Sequence, residues 1–303
     1  MIELKDVRHK YTVIKLKKSN GKIRIIEAPN DELKQKQREH YLQYLRNLPV
    51  SKFAHGFAPR KNIVTNAIPH VGKKYVLKAD IKNFFNSINF NHFCTIFYKN
   101  YLPLFPDINK DKGLEKENLL IHFINKPTET LTTYDFYLPQ GGPASPFLSN
   151  IYLFKFDYYI AQFIRRLYEK DKILVNYTRY ADDITLSSDS KKHIFKVLKF
   201  IEESVLKYSY PKLEFNNEKI KLLPYYTRQK VCGIVVNKKI NLPRKLRKKL
   251  RAMKFQIKNG YKNETNRDRG YLAFEKMVYD SQKEVFDMSS YIARFNTKKF
   301  LQI

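Results

Sequence analysis

Two adjacent aspartates, Asp182 and Asp183, stand between two segments with the composition of buried strands: Ile173-Leu174-Val175-Asn176-Tyr177-Thr178-Arg179 before them and Ile184-Thr185-Leu186-Ser187-Ser188 after. The tetrapeptide Tyr180-Ala181-Asp182-Asp183 then reads as the turn of a hairpin, and chain reversal holds both carboxylates side by side at its tip. Adjacent anions are costly unless a cation neutralises them. Hard oxygen donors of this kind suit Mg²⁺, which keeps several waters and takes one or two carboxylates together with substrate phosphates. Asp-Asp also occurs in turns that hold nothing, because Asp tolerates turn geometry and bonds its own backbone. The pair by itself leaves both readings open.

Charge narrows the choice. Of the 303 residues, 58 are Lys or Arg against 29 Asp or Glu, a formal net charge of +29. An excess of that size points to a polyanionic partner, nucleic acid first and an anionic membrane second. No apolar run approaches the roughly 20 residues that span a bilayer, and Met1-Ile2-Glu3-Leu4-Lys5-Asp6 lacks the apolar core of a signal peptide. A cytoplasmic protein with no membrane partner is the expectation. The 22 Tyr and 22 Phe favour nucleic acid further, since aromatic faces stack on bases while Lys and Arg meet phosphates; core packing accounts for most of them. Cys94 and Cys232 have no Cys or His neighbours at zinc-ligand spacing and are expected as two reduced thiols.

The chain alternates strand and helix signals, so the fold class is α+β. Residues 11–27 read as a strand pair around Ser19-Asn20-Gly21. Asn30 caps a helix expected from Asp31 to Leu48, with Leu33, Tyr41, Tyr44, Leu45 and Leu48 on one side. Tyr75–Ile81 reads as a buried strand, and the polar stretch 101–135, with Pro103, Pro106 and Pro127, as an insertion. Pro146 opens a helix expected to run to Tyr168. Beyond the Asp-Asp turn come a helix near Lys191–Tyr208 and short strands near Leu213–Phe215 and Val231–Asn237. After Pro243 the block Arg244-Lys245-Leu246-Arg247-Lys248-Lys249-Leu250-Arg251 opens a basic helix, either a solvated face or a phosphate-tracking surface; the net charge favours the second.

A two-metal site needs a third carboxylate. Asp80 ends the apolar strand 75–81, and if that strand lies beside the hairpin the three carboxylates converge. Alone, Asp80 is equally a strand-end cap. The loop Leu138-Pro139-Gln140-Gly141-Gly142-Pro143-Ala144-Ser145-Pro146 feeds a helix, and its glycines permit close backbone approach to a ligand.

Together these segments resemble the A, B and C motifs of reverse transcriptases, in the family's order: Asp80 with Phe85, the run Leu138–Pro146, and Tyr180-Ala181-Asp182-Asp183. The likeness covers nearly the whole chain. Arg24, in Lys22-Ile23-Arg24-Ile25-Ile26, resembles the fingers residue that binds the incoming triphosphate, and Lys219 resembles the motif D lysine near the leaving pyrophosphate. Two further elements are similar to those of retron reverse transcriptases: Asn66-Ala67-Ile68-Pro69-His70 resembles their Asn-Ala-x-x-His element, and Val231-Cys232-Gly233 their Val-Thr-Gly triplet, with Cys232 where the family has Thr.

The resemblance implies a right-hand polymerase fold: fingers at 1–72 with an insertion at 101–137, a palm of antiparallel sheet at 73–100 and 138–240, and a helical thumb at 241–303. It implies Asp80, Asp182 and Asp183 as catalytic residues, and two Mg²⁺ ions held by Asp80, Ile81, Asp182 and Asp183. The nucleotide pocket implied comprises Arg24, Phe85 as a steric gate against the ribose 2′-OH, Gln140, Gly141 and Lys219, with Tyr180 below the primer end. RNA contacts are implied for Asn66, His70, Val231, Cys232 and Gly233. Arg244, Lys245, Arg247, Lys248 and Arg251, with Arg267 and Arg269, are expected to grip RNA in the thumb. The activity implied is RNA-templated DNA synthesis from dNTPs on a cognate noncoding RNA. Priming from a guanosine 2′-OH gives branched RNA–DNA, or msDNA, within an anti-phage system that includes a separate effector protein. An abortive-infection or diversity-generating reverse transcriptase, or a non-catalytic RNA-binding scaffold restraining a toxin, is the competing expectation.

Overall fold

Four antiparallel strands, in the spatial order Asn176–Tyr180, Asp183–Ser188, Tyr75–Asp80 and Lys221–Pro224, form the central sheet of this computed structural model, which describes residues 10–17, 21, 23–104, 137–210 and 212–281. Before the sheet, β1 (Tyr11–Lys17) and β2 (Ile23–Pro29) make a separate hairpin with Tyr11 opposite Pro29. Ser19 and Asn20 of its expected turn, and 105–136 of the expected insertion, lie outside the described residues. Helix α1 (Asp31–His40) starts as the sequence predicts, with Asn30 Oδ1 accepting from the Leu33 N–H at 2.9 Å. It does not continue as an α-helix to Leu48; the chain widens into a π-type turn at Tyr41–Leu45 that keeps Leu45 and, just beyond, Leu48 buried.

Helix α2 (Ile63–Ala67) is capped reciprocally by Asn62 and Thr65. Strand β3 (Tyr75–Asp80) follows, with Val76, Leu77 and Ala79 buried, then α3 (Phe84–Ser87) and α4 (Phe90–Ile96). The helix predicted as one piece from Pro146 is two, α5 (Ser145–Tyr152) and α6 (Phe154–Asp171), with a change of direction at Leu153. The break lets both apolar stripes, Phe147, Leu148 and Ile151 in α5 and Phe156, Ile160 and Ile164 in α6, reach the same core. Strands β4 (Asn176–Tyr180) and β5 (Asp183–Ser188) form the predicted hairpin. Helix α7 (Lys191–Phe200) passes into a second wide turn at Ile201–Ser209.

The expected strand at Leu213–Phe215 is reduced to one bridge between Ile81 and Phe215, and the strand that completes the sheet is instead β6 (Lys221–Pro224), which the sequence reading overlooked. The expected strand Val231–Asn237 is a minimal hairpin, β7 (Lys230–Val231) and β8 (Ile234–Val235), around Cys232 and Gly233. The chain then forms α8 (Arg244–Lys258) and α9 (Asn266–Asp280). Two apolar clusters hold the parts together. The larger lies between the sheet and helices α4 to α7; the smaller joins α2, Val76, the β7–β8 hairpin, α8 and α9 through Val64, Val231, Ile234, Leu250, Met253 and Val278.

Candidate active site

Register brings the three aspartates to one edge of the sheet. In the β3–β5 ladder Asp80 lies opposite Asp183, and in the β4–β5 ladder Tyr180 also faces Asp183, which leaves Ala181 and Asp182 as a two-residue loop. The loop is docked onto β3 by the Ile81 N–H, which donates to the Asp182 carbonyl at 3.2 Å. Ala181 has φ +55°, a left-handed conformation that a side chain with a Cβ adopts at a cost. Its neighbours hold it there. Arg179 Nη1 donates to the Ala181 carbonyl at 3.1 Å. The loop before α2 presses against the other side, with the His55 N–H donating to the Arg179 carbonyl at 2.7 Å and the Arg179 N–H to Phe53 O at 2.8 Å. At Gly56 a Cβ would come within 2.7 Å of the Ala181 nitrogen, so only glycine permits that approach.

Arg179 is the residue that sequence reasoning missed. Its side chain has no solvent exposure, and neither has that of Asp157 on α6. Arg179 Nε and Nη2 donate to the two oxygens of Asp157 at 2.9 and 2.8 Å, and Nη1 also donates to Asn150 Oδ1 at 3.0 Å. Tyr177 adds a 2.5 Å bond to Asp157, while Asn150 Nδ2 donates to the Gly56 carbonyl. Burial opposes the charge on Arg179, but Asp157 outweighs it and the guanidinium pKa is raised. The signal available in the sequence was an Asp on the apolar stripe of α6 and an Arg within a strand otherwise buried.

Negative charge is concentrated at the loop. Burial, then the charges of Asp80 and Asp183, push the Asp182 carboxyl up to about 6. Asp183 is raised by burial, against the nearby Lys78 and with the help of Asp80. Lys219 answers part of this charge, its Nζ lying 2.6 Å from Asp80 Oδ2. It is brought there because the Asn216 N–H donates to Asp80 O and the Lys82 N–H to Glu214 O, so the segment 214–219 runs along the end of β3. Among the described residues no group of three His, Cys, Asp or Glu side chains is arranged as a ready-made metal cage. The donor set is nevertheless chemically suited to a hard divalent ion: hard carboxylate oxygens, one of them resisting ionisation because it is buried and its neighbours are negative.

Of the remaining expected pocket residues, Phe85 follows the end of β3, while Gln140, Gly141 and Arg24 lie on the glycine loop and the hairpin it contacts. Phe85 is half-buried beside Phe84, with ring centroids 5.3 Å apart, just after the left-handed residue Asn83. The Gln140 carbonyl accepts from the Glu27 N–H at 3.0 Å, and a Cβ on Gly141 would lie 2.6 Å from Glu27 O. That contact ties the glycine loop to β2, on which Arg24 is exposed opposite Leu16.

The two short elements at 66–70 and 231–233, expected as RNA contacts, are largely buried within the fold. Asn66, His70 and Val231 have no exposed surface. Burial holds His70 neutral, with its pKa lowered to about 3, between Ser187 Oγ on Nδ1 and Thr178 Oγ1 on Nε2, at 2.7 and 2.8 Å. It bolts the turn after α2 to the β4–β5 hairpin. Asn66 Nδ2 donates to Cys232 Sγ at 3.3 Å, so the two elements meet each other. Cys232 and Gly233 form a two-residue turn with φ +46° and +86°, the left-handed pair that tight hairpins require. Of the five residues expected to contact RNA in these elements, only these two remain accessible. Burial, and then the charge of Asp183, push the Cys232 thiol up to about 11, which places it within electrostatic reach of the carboxylates.

A family model described as reverse transcriptase (RNA-dependent DNA polymerase) matches residues 15–236, a span containing all three aspartates and the glycine loop. The chain belongs to the reverse transcriptase family. Its right-hand fold is that of the family, with the antiparallel sheet at its centre. Among relatives, the Retron Mx65 reverse transcriptase of Myxococcus xanthus is 33% identical over 92% of this chain, which spans 63% of that protein's length. The Retron Ec86 reverse transcriptase of Escherichia coli is 29% identical over 98% of the chain and 84% of its own length. The Retron Ec83 reverse transcriptase of Escherichia coli is 28% identical over 87% of the chain and 81% of its own length.

Proposed function

We propose that this protein is a retron reverse transcriptase, making DNA on a dedicated structured RNA and priming from a guanosine 2′-OH to leave a branched msDNA product. The observation that carries the reading is the convergence of Asp80, Asp182 and Asp183 at one sheet edge with Lys219 beside them. Its support within the family is the similarity to retron enzymes over most of the chain. In this reading the sheet and α4–α7 are the palm, the β1–β2 hairpin belongs to the fingers, and α8 and α9 are the thumb.

Asp80, Asp182 and Asp183, with the main chain of Ile81, would hold Mg²⁺. The chemistry supplied by two bound ions is acidification of the primer hydroxyl and neutralisation of the triphosphate. The protein's own share is placement. Arg24 and Lys219 meet the phosphates of the incoming nucleotide, Gln140 and Gly141 shape the wall beside the template base, and the ring of Phe85 excludes a ribose 2′-OH. Tyr180 supports the primer end. Catalysis then rests on positioning and charge neutralisation. The accessible turn at Cys232 and Gly233 reaches the RNA near the priming nucleotide, while Asn66, His70 and Val231 hold that turn in place. Arg244, Lys245, Arg247, Lys248 and Arg251, with Arg267 and Arg269, carry the RNA backbone. A cytoplasmic complex with an effector protein in anti-phage defence follows from the retron likeness; no described helix is long and apolar enough to cross a membrane.

The test is to express the chain with its native flanking DNA and analyse the nucleic acid that purifies with it. A short DNA of defined sequence joined to RNA through a ribonuclease-resistant 2′,5′ branch is expected, and Asp182→Asn should abolish it while RNA still co-purifies. RNA alone with the unaltered protein would replace the reading with a scaffold role. Unbranched DNA would move the protein to another reverse transcriptase lineage.

A further inference from the structure

The last two turns of α8 end in a surface hollow of about 520 Å³ lined by Lys248, Arg251, Ala252, Phe255, Gln256 and Tyr261. Lys248, Arg251, Ala252 and Phe255 follow the i, i+3, i+4, i+7 spacing of one helix face, opposite the side that buries Leu250 and Met253 against the smaller apolar cluster. Phe255 and Tyr261 are 62% and 76% exposed, so the fold does not use their rings as core.

Tyr261 is folded back on purpose-built backbone. Gly260, with φ +72°, terminates the helix, its N–H donating to Ile257 O at 3.2 Å while the Tyr261 N–H donates to Gln256 O at 2.9 Å. This is the paired arrangement by which a left-handed residue closes a helix end. It leaves the Tyr261 ring centroid 6.2 Å from that of Phe255, with the planes 36° apart. The rings make an open wedge. Ala252, one turn earlier, is too short to fill it. Cations stand at the other end of the hollow. Lys249 and Lys254 turn toward α9, one over the Tyr271 ring at 4.1 Å and the other 2.5 Å from Glu275. Lys248 and Arg251 stay on the hollow's face, and among the described residues neither is paired with a carboxylate.

We infer that this hollow is a site for one unpaired RNA base, stacked on Phe255 against Tyr261, with its flanking phosphates on Lys248 and Arg251. Aromatic faces accept any base, and the Gln256 amide offers both a donor and an acceptor to a base edge. A duplex cannot enter, because its bases are already stacked and its deep groove is closed to side chains. A nucleic-acid occupant suits the site better than a protein one: Arg244 and Lys245 extend the basic face toward the helix start, on a chain of net charge +29. The inference rests on the proposed RNA-binding role of α8 and sharpens it from charge attraction to recognition of unpaired nucleotides.

The experiment uses the whole chain and a short single-stranded RNA of mixed sequence carrying 2-aminopurine, compared with the same strand annealed to its complement and with the DNA strand of that sequence. Binding should quench the fluorophore. Phe255→Ala should weaken single-stranded RNA binding about five- to a hundredfold, leave duplex binding and the salt slope unchanged, and remove the quench. Lys248→Gln with Arg251→Gln should lower the salt slope instead. Equal losses on duplex and single strand, or no loss, would overturn the base site, as would a change in oligomeric mass caused by Phe255→Ala, which would mark a protein contact. DNA bound as tightly as RNA would overturn the assignment to RNA. If the unaltered protein binds neither RNA even at low salt, it is the broader RNA-binding reading that fails. Both rings are exposed, so unfolding is not the expected outcome, and thermal melting of each variant checks it.

Discussion

Arg179 in the β4–β5 hairpin and Arg251 on α8 show how differently one chain uses the same side chain. Arg179 has no contact with solvent and spends its donors on Asp157, Asn150 and the Ala181 carbonyl. Arg251 stands on an exposed face with Arg244, Lys245 and Lys248. A buried guanidinium must have every donor answered, so it locks its surroundings into one geometry. An exposed one keeps its hydration and its freedom, and its energy appears only when a polyanion arrives. The difference is that between a hairpin whose carboxylates are held in register and a helix face whose charges the fold leaves in solvent.

The contrast can be broken most forcefully at Asp157. Asp157→Asn leaves a buried guanidinium without its counter-charge and should cost about 3–5 kcal/mol of stability in denaturant melts. Asp157→Asn combined with Arg179→Met should recover part of that loss. A neutral single substitution would mean that the hairpin is not held from beneath.

Acid should reveal the same rigidity through His70. Its pKa is lowered in the folded chain from 6.5 to about 3, so its contribution is fully present above pH 6.5 and is lost as pH falls toward 3. The loss should reach about 2 kcal/mol near pH 5, and His70→Gln should flatten that part of the stability profile. An unchanged profile in the variant would mean that His70 is not the group being titrated.

On α8 the expected effects are on binding and not on folding. Lys248→Gln and Arg251→Gln should each reduce the slope of log affinity against log salt by roughly 1, with stability changed by no more than about 0.5 kcal/mol. A large drop in melting temperature would erase the distinction between the two regions. Cys232→Thr should change stability by no more than about 1 kcal/mol in denaturant melts. The hydroxyl can take over the Asn66 contact, while a β-branched residue is disfavoured at φ +46°.

Much of the candidate site was legible because its determinants are local. Tyr180-Ala181-Asp182-Asp183 lies between strand-forming runs, and the hairpin forms where those runs predict it. Asp80 ends an apolar run that forms the buried strand its residues predict. Asn30 announces α1 and Pro243 precedes α8. The missed features depend on distant partners. Leu153 reads as one more apolar residue in a helical stripe, and only the shape of the core makes it a bend. Lys221–Pro224 is a short strand that acquires its identity from lying beside β3. His70 and Asn66 look like polar residues available for a ligand, yet Ser187, Thr178 and Cys232 claim them.

The sequence by itself determined the class of chemistry: paired carboxylates at a turn, a third at a strand end, a glycine loop and a large positive charge, each set by residue type and short-range spacing. Only the tertiary structure decided which charges are fixed and which are free. Asp157 meets Arg179 across 22 positions of sequence, and Asn66 meets Cys232 across 166. Local propensity carries no information about such pairs, because their energy exists only after the sheet and helices have packed and excluded water from between them.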